Sequence, residues 1–205
     1  MNNSRYAVLA CYIVVSYLLG GCLGSRDFTP IRYYSVGALP ETVPRATRSW
    51  PISLGVRPFT AATRYGDRIL YRLSAVEVGF YEYDRWVEPP EEMVTQVLIS
   101  TVRASALFRQ VVSADNVSLP AWLLSGELMR FDEVREEGKS LAECWLRLEL
   151  RRARDEQLLW SEVIKAAVPL ATETPEALAQ AMSRAVQQTA LQLVTSLHEA
   201  NLPRP

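Results

Sequence analysis

The sequence predicts an α+β fold, an antiparallel-rich sheet with two main helices packed on one face. Three observations carry that expectation. Ala142, Cys144, Leu146, Leu148 and Leu150 alternate with Glu143, Trp145, Arg147, Glu149 and Arg151, the two-residue period of a strand with one face in the core. Two other segments, opening at Pro89-Pro90 and at Thr174-Pro175, repeat apolar residues at helical spacing. Between those segments the strand-like runs are joined by short polar turns, which is the pattern of hairpins and not of regular strand and helix alternation.

The first 21 residues read as a removable export signal. Arg5 is followed by an uncharged, mostly apolar stretch from Tyr6 to Leu19, and then by Gly20, Gly21 and Cys22. This is the order of a secretory signal, and the apolar stretch is shorter than the ~20 residues that a membrane-spanning helix needs. Leu19-Gly20-Gly21-Cys22 resembles the lipobox of bacterial lipoproteins. The resemblance implies cleavage between Gly21 and Cys22, a diacylglyceryl group on the Cys22 sulfur and an acylated new amino terminus. Each buried methylene adds ~0.8 kcal/mol, so several chains hold a protein to a membrane permanently. Leu23 stands where an Asp would signal inner-membrane retention, so the same resemblance implies the periplasmic face of the outer membrane. The organisation is therefore a signal peptide over 1–21, a tether over 22–30, a single α+β periplasmic domain over 31–199 and a C-terminal tail over 200–205. Leu23 to Pro30 can reach roughly 29 Å at most, which keeps the domain near its membrane.

In the mature chain, Ile31 to Leu39 reads as a first strand around Tyr33, Tyr34 and Val36, and the Pro-, Thr- and Arg-rich stretch up to Pro51 reads as loop. Ile52 to Val56 makes a short strand, and Pro58 to Asp67 is irregular. Ile69, Tyr71 and Leu73 alternate, as do Val76, Val78 and Phe80, and this pattern ends at Tyr81 and Glu82. Pro89 and Pro90 open the first helix, with Glu91 and Glu92 in the turn where the helix dipole favours negative charge and Val94, Val97, Leu98 and Val102 on its apolar face. Phe108 to Val112 and Ala121 to Val134 are strand candidates. Arg135 to Lys139 is a polar turn in which Gly138 can take positive φ, so a hairpin leads into the alternating strand. Arg152 to Glu156 makes a second turn before Leu158 to Val168. The closing helix has Thr174 as N-cap, Pro175 at its first position and Leu178, Met182, Ala185, Thr189 and Leu193 at helical spacing.

The composition offers little chemistry. Net charge is -1, with 22 Lys and Arg against 23 Asp and Glu, so no basic excess holds phosphate backbones and nucleic acid is not an expected partner. No Gly-x-Ser-x-Gly elbow, Gly-rich phosphate loop or His and Cys cluster at metal spacing occurs, so no catalytic residue, metal or cofactor is assigned. The single histidine, His198, falls at the end of the last helix. Glu91 with Glu92 and Glu136 with Glu137 are adjacent carboxylates at a helix start and a hairpin tip, where solvated charge is expected. Cys11 leaves with the signal and Cys22 is committed to lipid, so Cys144 has no disulfide partner; it reads as a small buried hydrophobe, with a reactive thiol as the alternative. Phe80 to Trp86 is the densest aromatic run. Tyr83 and Trp86 are its candidate partner-binding residues, but for Trp86, just before a helix start, closing the apolar layer between helix and sheet is the preferred reading.

The chain resembles the ABC-type transport auxiliary lipoproteins, the PqiC-like group associated with Mce-type lipid transport. The resemblance rests on the lipobox cysteine, Tyr33-Tyr34-Ser35-Val36, Ile69-Leu70-Tyr71-Arg72-Leu73, Tyr83-Asp84-Arg85-Trp86-Val87-Glu88-Pro89, and the Ala-rich helix from Ala177 to Leu197, in that order. It implies a non-enzymatic, membrane-tethered subunit that assists an Mce-domain protein, a permease and an ATPase in moving lipid between membranes. Its partners would be membrane lipid through Cys22, the Mce-domain protein and further copies of itself. A structural or assembly lipoprotein of the outer membrane, in the manner of the LptE group, is the alternative.

Overall fold

A computed structural model describes residues 28–37, 39–63, 65–114, 120–136 and 138–203. The export signal and the pair Gly21 and Cys22 lie outside the described residues. The chain divides after Pro30, and the elements below belong to the unit Ile31–Pro205.

The spine of that unit is a hairpin of two long strands, β7 (Trp122–Glu136) and β8 (Lys139–Arg152). Glu136 pairs with Lys139 across the turn, where Gly138 takes φ +73°, a conformation that is strained for any residue with a Cβ. The register runs antiparallel to Trp122 opposite Arg152, with one irregularity between Leu128 and Arg130. A second turn, in which Glu156 has φ +56°, returns the chain along β9 (Leu158–Pro169), antiparallel to β8. The expected alternation holds in β8, where Ala142, Cys144, Leu146, Leu148 and Leu150 are fully buried.

The other side of β7 is built differently. Three short strands lie end to end along it, all parallel to it: β2 (Trp50–Val56) against Trp122–Leu124, β3 (Thr60–Ala61) against Glu127–Leu128, and β4 (Arg68–Arg72) against Glu133–Val134. Beyond them β6 (Phe108–Ser113) joins β2 in parallel, β5 (Val78–Trp86) joins β4 antiparallel, and β1 (Arg32–Tyr34) joins β5 in parallel. The sheet is therefore mixed, which corrects the antiparallel-rich expectation. The hairpins announce themselves by their turns, whereas parallel neighbours come from distant parts of the chain and leave no local signal. The aromatic run is also strand rather than loop margin, since β5 continues to Trp86. Trp50 and Pro51 open β2, and β1 is only three residues long.

Two helices complete the layer. Helix α1 (Pro90–Ala104) starts at Pro90 with no side-chain cap, has Glu91 and Glu92 in its first turn, and buries Met93, Val94, Leu98 and Val102. Helix α2 (Pro175–Glu199) is capped by Thr174, whose Oγ1 accepts from the Ala177 N–H at 3.2 Å. It packs on β8, β9 and α1, and the fully buried Ala181, Ala185 and Ala190 let its backbone approach closely. Both helices share one apolar core with the sheet. Each fully buried Leu in it, such as Leu54, Leu98, Leu124 or Leu193, contributes about 1.5–3 kcal/mol relative to exposure. Among the described residues no helix is long and apolar enough to cross a membrane.

Candidate functional site

The second half of β7 carries two adjacent carboxylates that are withdrawn from water, Asp132 at 1% exposure and Glu133 at 0%. A buried charge is destabilising unless partners replace its hydration, and both have them. Asp132 Oδ1 accepts from the Tyr65 hydroxyl at 3.1 Å, and its Oδ2 accepts from Arg72 Nη2 at 2.9 Å and Nε at 3.2 Å. The Tyr65 oxygen in turn accepts from the Phe131 N–H at 2.9 Å. On the neighbouring residue, Glu133 Oε2 accepts from the Tyr81 hydroxyl at 2.5 Å, and Arg135 donates to Oε1 from Nε at 2.8 Å and to Oε2 from Nη2 at 2.9 Å. Arg135 Nη2 also donates to the Tyr81 oxygen at 2.7 Å, and its guanidinium lies 4.2 Å from the Tyr71 ring centre. Tyr71 meets Tyr81 edge to face at 5.6 Å, and Gly79 makes room for this pair, because a Cβ there would overlap the Tyr71 ring.

This arrangement holds its protons in place. Burial, then the Asp132 charge, pushes the Tyr65 phenol up; burial, then the bond to Glu133, does the same to Tyr81. The Glu133 carboxylate holds Arg135 firmly charged. Every oxygen of the two carboxylates has a donor, so the cluster joins β4, β5 and β7 and presents no free acid or base. Sequence reading missed it. Two consecutive acids inside a long strand were the available signal, since at least one of such a pair must face a layer that strand periodicity marks as buried.

The residues singled out from sequence separate. Trp86 is 1% exposed and packs edge to face on Phe131 at 5.3 Å, so its ring is closed off in the core, the reading preferred for it over partner binding. Tyr83, three residues earlier, is 40% exposed. Between them Asp84 is buried and takes the Arg32 Nε at 2.8 Å. Cys144 is fully buried 4.0 Å from Thr189 Oγ1, and burial pushes its thiol up to about 12, which leaves essentially no thiolate near neutral pH. His198 Nε2 sits 3.1 Å from Thr47 Oγ1 at the end of α2, an exposed contact. Glu91 and Glu92 lie in the first turn of α1, away from the Asp132 and Glu133 pair. No group of three His, Cys, Asp or Glu among the described residues could hold a metal.

Among the described residues, hollows open at two places on the surface. One of about 190 Å³ lies between the segment after β1 and α1, lined by Val36, Leu39, Glu88, Met93, Gln96 and Ser100. The other, about 400 Å³, crosses the open face of the sheet, where Arg147 pairs with Glu127 and Arg151 with Glu149 at 2.8 Å. Their charges are satisfied by one another, and neither hollow brings a nucleophile to a base.

Residues 34–194 match the family described as the ABC-type transport auxiliary lipoprotein component. None of the curated proteins matches the chain. A crystal structure of a Xanthomonas campestris protein of the DUF330 family is similar at TM-score 0.67 and 22% identity, over 82% of this chain and 94% of that one. An uncharacterized protein aligns at TM-score 0.63 and 13% identity over 82% and 99% of the two chains. A hypothetical protein of Chlamydia trachomatis aligns at TM-score 0.51 and 10% identity over 75% and 98%. At these identities the structural likeness is one of fold.

Proposed function

We propose that this chain, which belongs to the ABC-type transport auxiliary lipoprotein family, is a lipid-anchored, non-catalytic subunit of an Mce-type lipid transport system. The observation that carries the reading is the family match, which spans nearly all of the folded unit. The lipobox-like Leu19-Gly20-Gly21-Cys22 supports an anchor at Cys22 after cleavage behind Gly21, on the periplasmic face of the outer membrane. The site chemistry supports a binding role. The Asp132 and Glu133 carboxylates are fully paired, the one folded-unit thiol is buried, and the histidine is held by the Thr47 hydroxyl at the end of α2. In this reading an Mce-domain protein is the partner, ATP is consumed by another chain, and Tyr83 belongs to a surface that meets a partner.

The experiment is a crosslinked pull-down of the lipidated protein from envelope membranes, with mass spectrometry of proteins and lipids. Recovery of an Mce-domain protein with a permease and an ATPase is the expected result. A β-barrel partner without transporter subunits would replace this reading with an assembly role. The anchor is tested separately: Cys22→Ala should accumulate as unlipidated precursor, and normal processing of that variant would remove Cys22 as the lipid site.

A further inference from the structure

Three large apolar side chains stand exposed close together at the tip of the β4–β5 hairpin: Leu73 just after β4, Val76 in the turn and Val78 where β5 begins. Val76 is 92% exposed, more than any other large apolar side chain among the described residues. Exposed apolar side chains met singly need no explanation, but a group gathered on one turn marks a contact surface.

The backbone of this turn is satisfied from within. Ser74 Oγ accepts from the Val76 N–H at 3.3 Å and from the Glu77 N–H at 3.1 Å. The Glu77 carbonyl oxygen accepts from the Leu73 N–H at 3.0 Å and from the Ser74 N–H at 3.4 Å. A backbone group carried out of water is destabilising unless it is paired, because a hydrocarbon layer offers it nothing to bond. The turn can therefore meet an apolar layer with these four N–H groups still paired.

The start of the folded unit lies toward the same tip. β1 is parallel to β5, with Arg32 opposite Asp84 and Tyr34 opposite Trp86. Ile31 therefore falls on the side of that pairing where β5 runs back through Tyr83 to Val78 and the turn. From Tyr83 to Val78 is at most about 17 Å at the rise of a strand, and the irregular pairing of β5 between Phe80 and Arg85 only shortens it. Ile31 is itself 48% exposed. Residues 23–30 join it to Cys22 over roughly 29 Å at most. A membrane that holds Cys22 is thus within reach of the tip, and its acyl layer matches the chemistry of Leu73, Val76 and Val78.

We propose that the β4–β5 tip is a second membrane contact, with Val76 seated among the acyl chains of the bilayer that holds the Cys22 lipid. The inference rests on the lipid anchor proposed above and adds to it. Lipid on Cys22 holds the protein at the membrane but leaves the domain free to turn about its tether, whereas contact at the tip fixes which end of the sheet faces the lipid. Leu73, Val76 and Val78 offer too little apolar surface to hold the domain there alone, so the contact orients and does not anchor.

Lipidated protein in vesicles of phosphatidylethanolamine and phosphatidylglycerol tests this, with Val76→Cys carrying a nitrobenzoxadiazole label. Cys144 is fully buried and Cys22 carries the lipid, so the label goes to the new thiol. Leu158→Cys, exposed on β9 at the other margin of the sheet, takes the same label for comparison. Lipids spin-labelled on the acyl chain should quench the Val76 label several-fold more strongly than the Leu158 label, and its emission should shift to the blue. An unquenched Val76 label in protein that floats with the vesicles overturns the inference and leaves the anchor standing. Equal quenching at the two positions overturns it too, as does a blue shift at Val76 without quenching, the sign of contact with protein. Protein that does not float with the vesicles overturns the anchor, and the inference with it.

Discussion

Trp122, Leu124 and Leu128 in the first half of β7, and Asp132 and Glu133 in the second, are all buried to 1% exposure or less, but different chemistry keeps them there. The first half lies against Leu150 and Leu146 of β8 and gains from removing apolar surface from water, a non-directional effect that any well-fitting neighbour can supply. The second half lies where β4 meets β7 over only Tyr71–Arg72 and Glu133–Val134, a short parallel seam with few backbone bonds. There Tyr65, Arg72, Tyr81 and Arg135 bind the two carboxylates with directional, charge-assisted bonds that tie together segments far apart in sequence. Hydrophobic burial thus holds the half of β7 far from the hairpin turn, and the paired charges fasten β7 to β4 and β5, strands that no turn joins to it.

The comparison can be strained most at its apolar end. Trp122→Ala should lower unfolding free energy by about 3–5 kcal/mol in urea denaturation, by nearly the same amount at pH 7 and pH 10. Loss that varied strongly with pH would mean that the two halves are coupled. In the polar half, Glu133→Gln keeps the shape but sets an amide against the Arg135 donors, and should be destabilising by about 1–3 kcal/mol. A double-mutant cycle with Tyr81→Phe should return a coupling energy well above zero, and simple additivity would show that the cluster does not act as a unit. Gly79→Ala should remove about 1–3 kcal/mol by crowding Tyr71 against Arg135, measurable as a lower melting temperature.

Alkaline pH sharpens the contrast further. Cys144, Tyr65 and Tyr81 all have folded values raised above their ordinary ones. Each keeps its proton in the fold at a pH where the unfolded chain has released it, so the stability they contribute is complete below about pH 9 and is lost as pH rises from there toward 12. Tyr81→Phe should flatten that decline in urea titrations taken across this window, and an unchanged slope would remove Tyr81 from it. Smallest of all, Tyr83→Ala should leave the unfolding midpoint where it was, because its side chain is on the surface, whereas Trp86→Ala three residues on should not.

Much of this protein was legible in its sequence where the determining contacts are local. The Gly138 turn, the alternation along β8, the Thr174 cap and Pro175 start of α2, and the buried character of Cys144 all follow from side-chain period and turn chemistry over a few residues. The lipobox-like segment and the ordered motifs pointed to the family in the same way, because they are properties of the chain and need no fold. What tertiary structure decided was everything that depends on residues distant in sequence. The parallel placement of β2, β3 and β4 along β7 made the sheet mixed. The separation of Trp86 from Tyr83 put one in the core and the other on the surface. Three of the four side chains that bind Asp132 and Glu133, namely Tyr65, Arg72 and Tyr81, came from segments more than 50 residues away. Periodicity reports which face of an element is buried, and only packing reports what that face is buried against.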